Sequence, residues 1–179
     1  MVFARYSFQR GCLLACVLTA LLACSPTFNW REVRVGDAAL LALLPCKPEK
    51  AERQVPVQGQ QATLHMASCD VGDATFAVAL LRLPEGVDAV AAAHAWKLAS
   101  LTSLKSTPEQ ARDWPLPARA GMPLSGWQAS GVRHTGQPVQ ARVLPLARGR
   151  ELYQAALYGD VPADVLTTWV DGLRFVAAP

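Results

Sequence analysis

The sequence predicts an α+β domain, an antiparallel β-sheet with two main helices packed on one of its faces. Three observations predict it. Apolar residues alternate with period two through most of the chain, and the period turns helical only twice, near residues 88–105 and 160–173. Strand-like segments come first, then one helix, then three strands joined by short turns, then the second helix, the order of an antiparallel sheet with segregated helices.

Residues 30–35 open the first strand, and residues 39–44 are a continuous apolar run stopped by Pro45, as in a buried strand. Residues 53–57 give a short strand, and Gly59 marks a turn. Ala62, Leu64 and Met66 then alternate with Thr63 and His65. Asp70-Val71-Gly72-Asp73 supplies turn chemistry, and residues 75–83 return as a strand ended by Pro84. Asp88 is placed to cap a helix running to about Lys105, with Val90, Leu98, Leu101 and Leu104 on its apolar face and His94 packed beside it.

Residues 106–125 carry Pro108, Pro115, Pro117 and Pro123 with Trp114 and Gly121. A connection that long without structure of its own is uncommon and often functional. A tryptophan between prolines has few packing partners within its own segment. It either folds back as a lid on the sheet or stands exposed as a contact residue of the kind enriched at interfaces. The second reading makes Arg112, Trp114 and Leu116 candidate partner-binding residues. Three strands follow, over residues 127–134, 139–146 and 151–159. Asp160 as cap, an early Pro162 and a stripe of Val165, Leu166, Trp169, Val170 and Leu173 give the last helix, and residues 174–176 finish the domain.

The N-terminus carries a different message. Residues 1–10 contain Arg5 and Arg10 and no acid, and residues 11–23 are an unbroken apolar and small-residue run. This is the layout of an export signal, and the run is too short for a bilayer span of about 20 residues. Leu21-Leu22-Ala23-Cys24 resembles the lipobox of bacterial lipoproteins: a branched apolar residue, a tolerant position, a small residue and the cysteine that becomes the new N-terminus. Cys12 and Cys16 do not end the apolar run. The resemblance implies cleavage before Cys24, a thioether-linked diacylglycerol and an amide-linked fatty acid such as palmitate. Two or more chains give stable anchoring. Ser25 follows the cysteine where an Asp would favour inner-membrane retention, so the family's sorting rule points to the periplasmic side of the outer membrane. The expected organisation is a signal peptide over residues 1–23, a tether over 24–29 and a single domain over 30–179.

Removing Arg5 and Arg10 takes the net charge from +3 to +1. That near-neutral, mixed-sign surface argues against a nucleic-acid partner, which needs a concentrated basic face. Arg142, Arg148 and Arg150 read as solvated residues of a hairpin. With two cysteines in the signal and one lipidated, Cys46 and Cys69 remain, and an even pair in an oxidising compartment reads as one structural disulfide.

Catalytic signatures are thin. His65, His94 and His134 lack the i, i+4 or Glu-flanked spacing of a zinc site, so no metal and no cofactor is expected. His65 reads as solvated or bonded across strands. No Gly-x-Ser-x-Gly elbow is present, and Asp70 with Asp73 falls short of a calcium loop. The expectation is therefore no enzyme but a binding domain, its partners the membrane through the lipid and an envelope protein or cell-wall component. The alternative is a small periplasmic enzyme or apolar-ligand carrier with a pocket between sheet and helix.

Three further stretches carry a second resemblance: Leu43-Leu44-Pro45-Cys46-Lys47-Pro48, Gly149-Arg150-Glu151-Leu152-Tyr153-Gln154 and Trp169-Val170-Asp171-Gly172-Leu173-Arg174-Phe175. Over residues 38–176 the chain resembles the PsbP-like fold, shared by an accessory protein of the photosynthetic oxygen-evolving complex and by bacterial lipoproteins including DcrB. The resemblance implies a fold and a habit of docking to partners near membranes. It implies no shared catalytic residues.

Overall fold

Both faces of the central strand β5 (Ala74–Arg82) are apolar, and this decides the architecture. Phe76, Val78 and Leu80 point to one side, Ala77, Ala79 and Leu81 to the other, so the sheet needs cover on both. A computed structural model describes residues 27–116 and 125–177, and Cys24 with its lipobox lies outside them. The large sheet has seven antiparallel strands in the order β3-β4-β5-β9-β8-β7-β6. Besides β5 these are β3 (Glu49–Val57), β4 (Gln60–Val71), β6 (Arg112–Pro115), β7 (Ser125–Val132), β8 (Pro138–Arg148) and β9 (Glu151–Tyr158).

The two helices lie on opposite faces, which corrects the one-face arrangement expected from element order. Helix α2 (Ala163–Asp171) and a small sheet of β1 (Arg31–Arg34), β2 (Leu40–Leu44) and β10 (Arg174–Phe175) cover the Phe76 face. The core there joins Leu44 of β2, Leu157 of β9, and Val165 and Trp169 of α2. Helix α1 (Ala89–Ser103) lies on the Ala77 face. Asp88 caps it as expected, its carboxylate accepting from the backbone N–H of Val90 at 2.8 Å and of Ala91 at 3.2 Å.

The apolar face expected for α1 is only half right. Leu101 and Leu104 are buried, but Val90 is 80 % exposed, Leu98 is 37 % exposed and His94 is exposed rather than packed. The helix meets the sheet through Ala92, Trp96 and Leu101, because its alanines carry too little bulk to dictate which side turns inward. Asp160 does not cap α2, whose first turn has no side-chain cap; its carboxylate pairs with Arg142 at 3.3 Å. Arg148 is likewise not simply solvated: its guanidinium donates to the carbonyl of Val176 at 2.8 Å and lies over the Phe175 ring.

The chain joins the domain earlier than residue 30. Phe28 packs against the core and stacks on Trp30 with centroids 6.1 Å apart, and the N–H of Asn29 donates to Pro45 O at 2.7 Å. Cys46 follows directly and forms a disulfide with Cys69 of β4, with Cα atoms 5.9 Å apart. The bridge clamps the entry of the chain to the end of the sheet where β4 turns into β5. It closes a loop with a sequence separation of 23, for which chain entropy gives about 3 kcal/mol. Cys46→Ser is expected to lower unfolding free energy by about that amount in urea titrations and to make Cys69 reactive to iodoacetamide. A native protein in which both thiols already alkylate would contradict the bridge.

Candidate functional site

Helix α1 crosses its face of the sheet diagonally. Its N-terminal half packs on Val57, Leu64, Leu81 and Leu152 through Ala92, while Leu101 and Leu104 pack on Trp127, Ala141 and Val143 of β7 and β8. The C-terminal end is pinned closely. The N–H of Val132 donates to Leu104 O at 2.8 Å, and a methyl group on Gly131 would run into that same carbonyl. The diagonal leaves one corner of the sheet uncovered, over the β4–β5 turn end of β3, β4 and β5.

That corner is a groove of about 670 Å³, within the range of small-molecule sites. Its floor is built of small side chains, Ser68, Ala77, Ala79 and Ala156, and its walls of Met66, Trp96, Leu104 and Val132. Ala77 and Ala79 belong to a central strand yet stay partly exposed, a position that a packed helix would normally bury. A second, apolar slot of about 190 Å³ continues it along β3, between Val55, Val57, Leu81, Ala92 and Ala95. Arg53, Leu64, Trp96 and Ala99 line both spaces, so the two adjoin along the flank of α1 and are together called the channel.

Polar groups converge at two points. Midway, the hydroxyl of Ser100 lies 3.2 Å from Gln154 Oε1, and Gln154 is one of the few buried polar side chains. At the turn end, Arg133 donates from Nη1 to Thr75 Oγ1 at 3.1 Å and from Nη2 to the carbonyls of Asp73 at 2.6 Å and Tyr158 at 2.9 Å. The Thr75 hydroxyl in turn donates to Asp70 at 2.6 Å. Burial pushes the Tyr158 hydroxyl at the groove wall above its ordinary titration range. Among the described residues no group of three or more His, Cys, Asp or Glu could hold a metal ion.

The residues expected to bind a partner lie elsewhere and do not form a surface. Residues 106–116 are not a bare connector: Pro108–Gln110 makes a 3-10 turn, and β6 pairs with β7 as the sheet's edge. Trp114 is only 9 % exposed and belongs to the core under α2, so its reading as an exposed contact is corrected; it turns inward from the sheet's own edge strand rather than from a loop folded over the sheet. Leu116 packs half-buried against the same core. Arg112 is exposed but folds back to donate to the carbonyls of Glu109 and Ala111. Residues 117–124 lie outside the described residues.

The histidines divide. His65 bonds across strands to Glu52, Nδ1 to Oε1 at 2.8 Å, on the face away from the groove. His134 is exposed at the groove's turn end beside Arg133. A pocket between sheet and helix was the alternative expected from the sequence, but none of its lining residues was singled out, although one signal existed: β5 alternates large residues (Phe76, Val78, Leu80) with small ones (Thr75, Ala77, Ala79). A central strand with small residues on one face either accepts a close neighbour or leaves a gap.

No protein-family model and no curated protein matches the chain. Among solved structures it is similar to the crystal structure of PA94 from Pseudomonas aeruginosa, a protein of unknown function described as a candidate regulator. The two share 15 % identity over 80 % of this chain and 92 % of that one, with a TM-score of 0.35.

Proposed function

We propose that the chain is an exported lipoprotein, anchored through lipid on Cys24 to the periplasmic side of the outer membrane. Its α+β domain is a non-catalytic binding module that holds an apolar ligand or segment in the channel beneath α1. The observation that carries the binding role is the uncovered, small-residue floor at Ala77 and Ala79, roofed on one side by a helix of alanines. The anchor rests on the lipobox-like Leu21-Leu22-Ala23-Cys24, and the Cys46–Cys69 bridge is consistent with an oxidising compartment. The sequence of strands, helix, strands and helix, and the closing Trp169–Phe175 segment, support a PsbP-like assignment of the fold.

The channel can be tested with a neutral apolar reporter. N-phenylnaphthylamine is expected to bind the mature chain carrying Cys24→Ser saturably, at one site, with a fluorescence rise. Ala77→Phe fills the floor, and Ala99→Trp intrudes from an exposed position on α1. Both are expected to abolish the rise while leaving the far-ultraviolet circular dichroism unchanged. Equal binding by wild type and both variants would show that the channel is not the site.

A further inference from the structure

We infer that the channel takes a long-chain fatty acid from the membrane to which the domain is tethered, with its carboxylate at Arg133 and its chain running under α1 toward Val55. This rests on the anchor and channel readings above, and three observations carry it.

The first is direction. Phe28 and Asn29 are fixed to the domain beside Pro45, Cys46 is bridged to Cys69, and Asp70 is paired with Thr75 in the same register. Chain entry and the polar end of the channel therefore share one end of the large sheet. Only residues 25–27 separate Cys24 from Phe28, so an extended tether spans about 14 Å at most. A domain held that short presents its entry end, and with it the mouth of the channel, to the bilayer surface.

The second is charge. The Arg133 guanidinium is held by three hydrogen bonds, all to neutral oxygens: one hydroxyl and two backbone carbonyls. Among the described residues it makes no ion pair, whereas Arg82, Arg142 and Arg174 all do. Asp70, the nearest acid in this relay, is engaged by the Thr75 hydroxyl instead. Arg133 is thus a fixed, half-buried cation in direct contact with no carboxylate among the described residues, Asp70 being reached only through the Thr75 hydroxyl, and arginine matches a carboxylate head.

The third is the gradient of lining. From Arg133 the groove extends over Ala77 and Ala79, past Ser100 and Gln154, to the adjoining slot whose walls are Val55, Val57, Leu81 and Ala92. Thr75 to Leu81 spans about 20 Å at strand rise, room for an extended acyl chain. Arg53, exposed where the groove meets the slot, makes no ion pair among the described residues and serves as an internal control.

The test compares two molecules that differ only in the head. Radiolabelled palmitate and hexadecanol are equilibrated with the mature chain carrying Cys24→Ser. Palmitate is expected to bind roughly tenfold tighter or more, the worth of one charge-assisted contact. Arg133→Gln should erase that preference while hexadecanol affinity holds, Arg133→Lys should retain part of it, and Arg53→Gln should leave it intact. Equal affinity for the two ligands in the wild-type chain would overturn the inference without any variant, even if Arg133→Gln fails to fold. Loss of the preference in Arg53→Gln but not Arg133→Gln would overturn the orientation. If N-phenylnaphthylamine binds in the channel and palmitate shows no advantage, the channel reading stands and this inference falls. If neither binds, the channel reading itself falls.

Discussion

Trp169→Ala is expected to cost about 3–5 kcal/mol, the range for emptying a fully buried aromatic site, and to shift the urea midpoint accordingly. Trp169 is 0 % exposed, and its indole meets the Phe76 ring edge-on with centroids 5.8 Å apart; Phe76 in turn meets Trp30 at 6.4 Å. The substitution therefore opens a hole at the junction of α2, the central strand and the entry segment, three parts that cannot collapse independently. Trp169 Nε1 has no hydrogen-bond partner among the described residues, so Trp169→Phe gives up contact area but no hydrogen bond. It is expected to cost clearly less than alanine. Because a domain of this size is stable by only about 5–15 kcal/mol, the alanine variant should lose a large share of its stability. An unchanged midpoint would mean that α2 does not dock where it is described.

The second large effect falls on Trp114. Trp114→Ala is expected to destabilise by about 3 kcal/mol, at the low end of the aromatic range because the residue lies on an edge strand. Its ring lies directly over Gly126: a methyl group there would come within 3.0 Å of the ring and 2.6 Å of Val143 O. The pairing of Trp114 with Gly126 across β6 and β7 is thus a fitted contact. Gly126→Ala should weaken the same corner, whereas Arg112→Ala, at an exposed position bonded only to local carbonyls, should change stability by no more than about 0.5 kcal/mol. A Trp114→Ala protein with wild-type melting would return the tryptophan to the surface.

Trp114 also shows why part of this molecule was not legible in its sequence. The prolines around it break any period, so residues 106–125 read as a loop. Yet Pro115 ends an edge strand, a place where proline is tolerated, and the indole of Trp114 turns inward. The strands of the sheet were legible because a one-residue shift would move every side chain to the wrong face. The disulfide was legible by counting cysteines. The side of the sheet taken by each helix was not, because α1 is rich in alanine and its few large residues, Val90 and Leu98 among them, do not mark the buried stripe. The channel exists for that same reason. Bulkier residues would narrow the slot at Ala95 and Ala99, and at Ala99 the groove as well. Arg133 was equally hidden: it adjoins a turn in sequence, and only the meeting of β5, β7 and β9 shows what holds it.

The anchor is the premise on which the orientation of the channel depends, and it is tested most directly by metabolic labelling. The full chain, expressed in a bacterial host with radiolabelled palmitate, is expected to incorporate label and to sediment with the outer membrane. Cys24→Ala should abolish both, and Cys16→Ala should leave both intact. Label persisting in the Cys24→Ala protein would contradict the account.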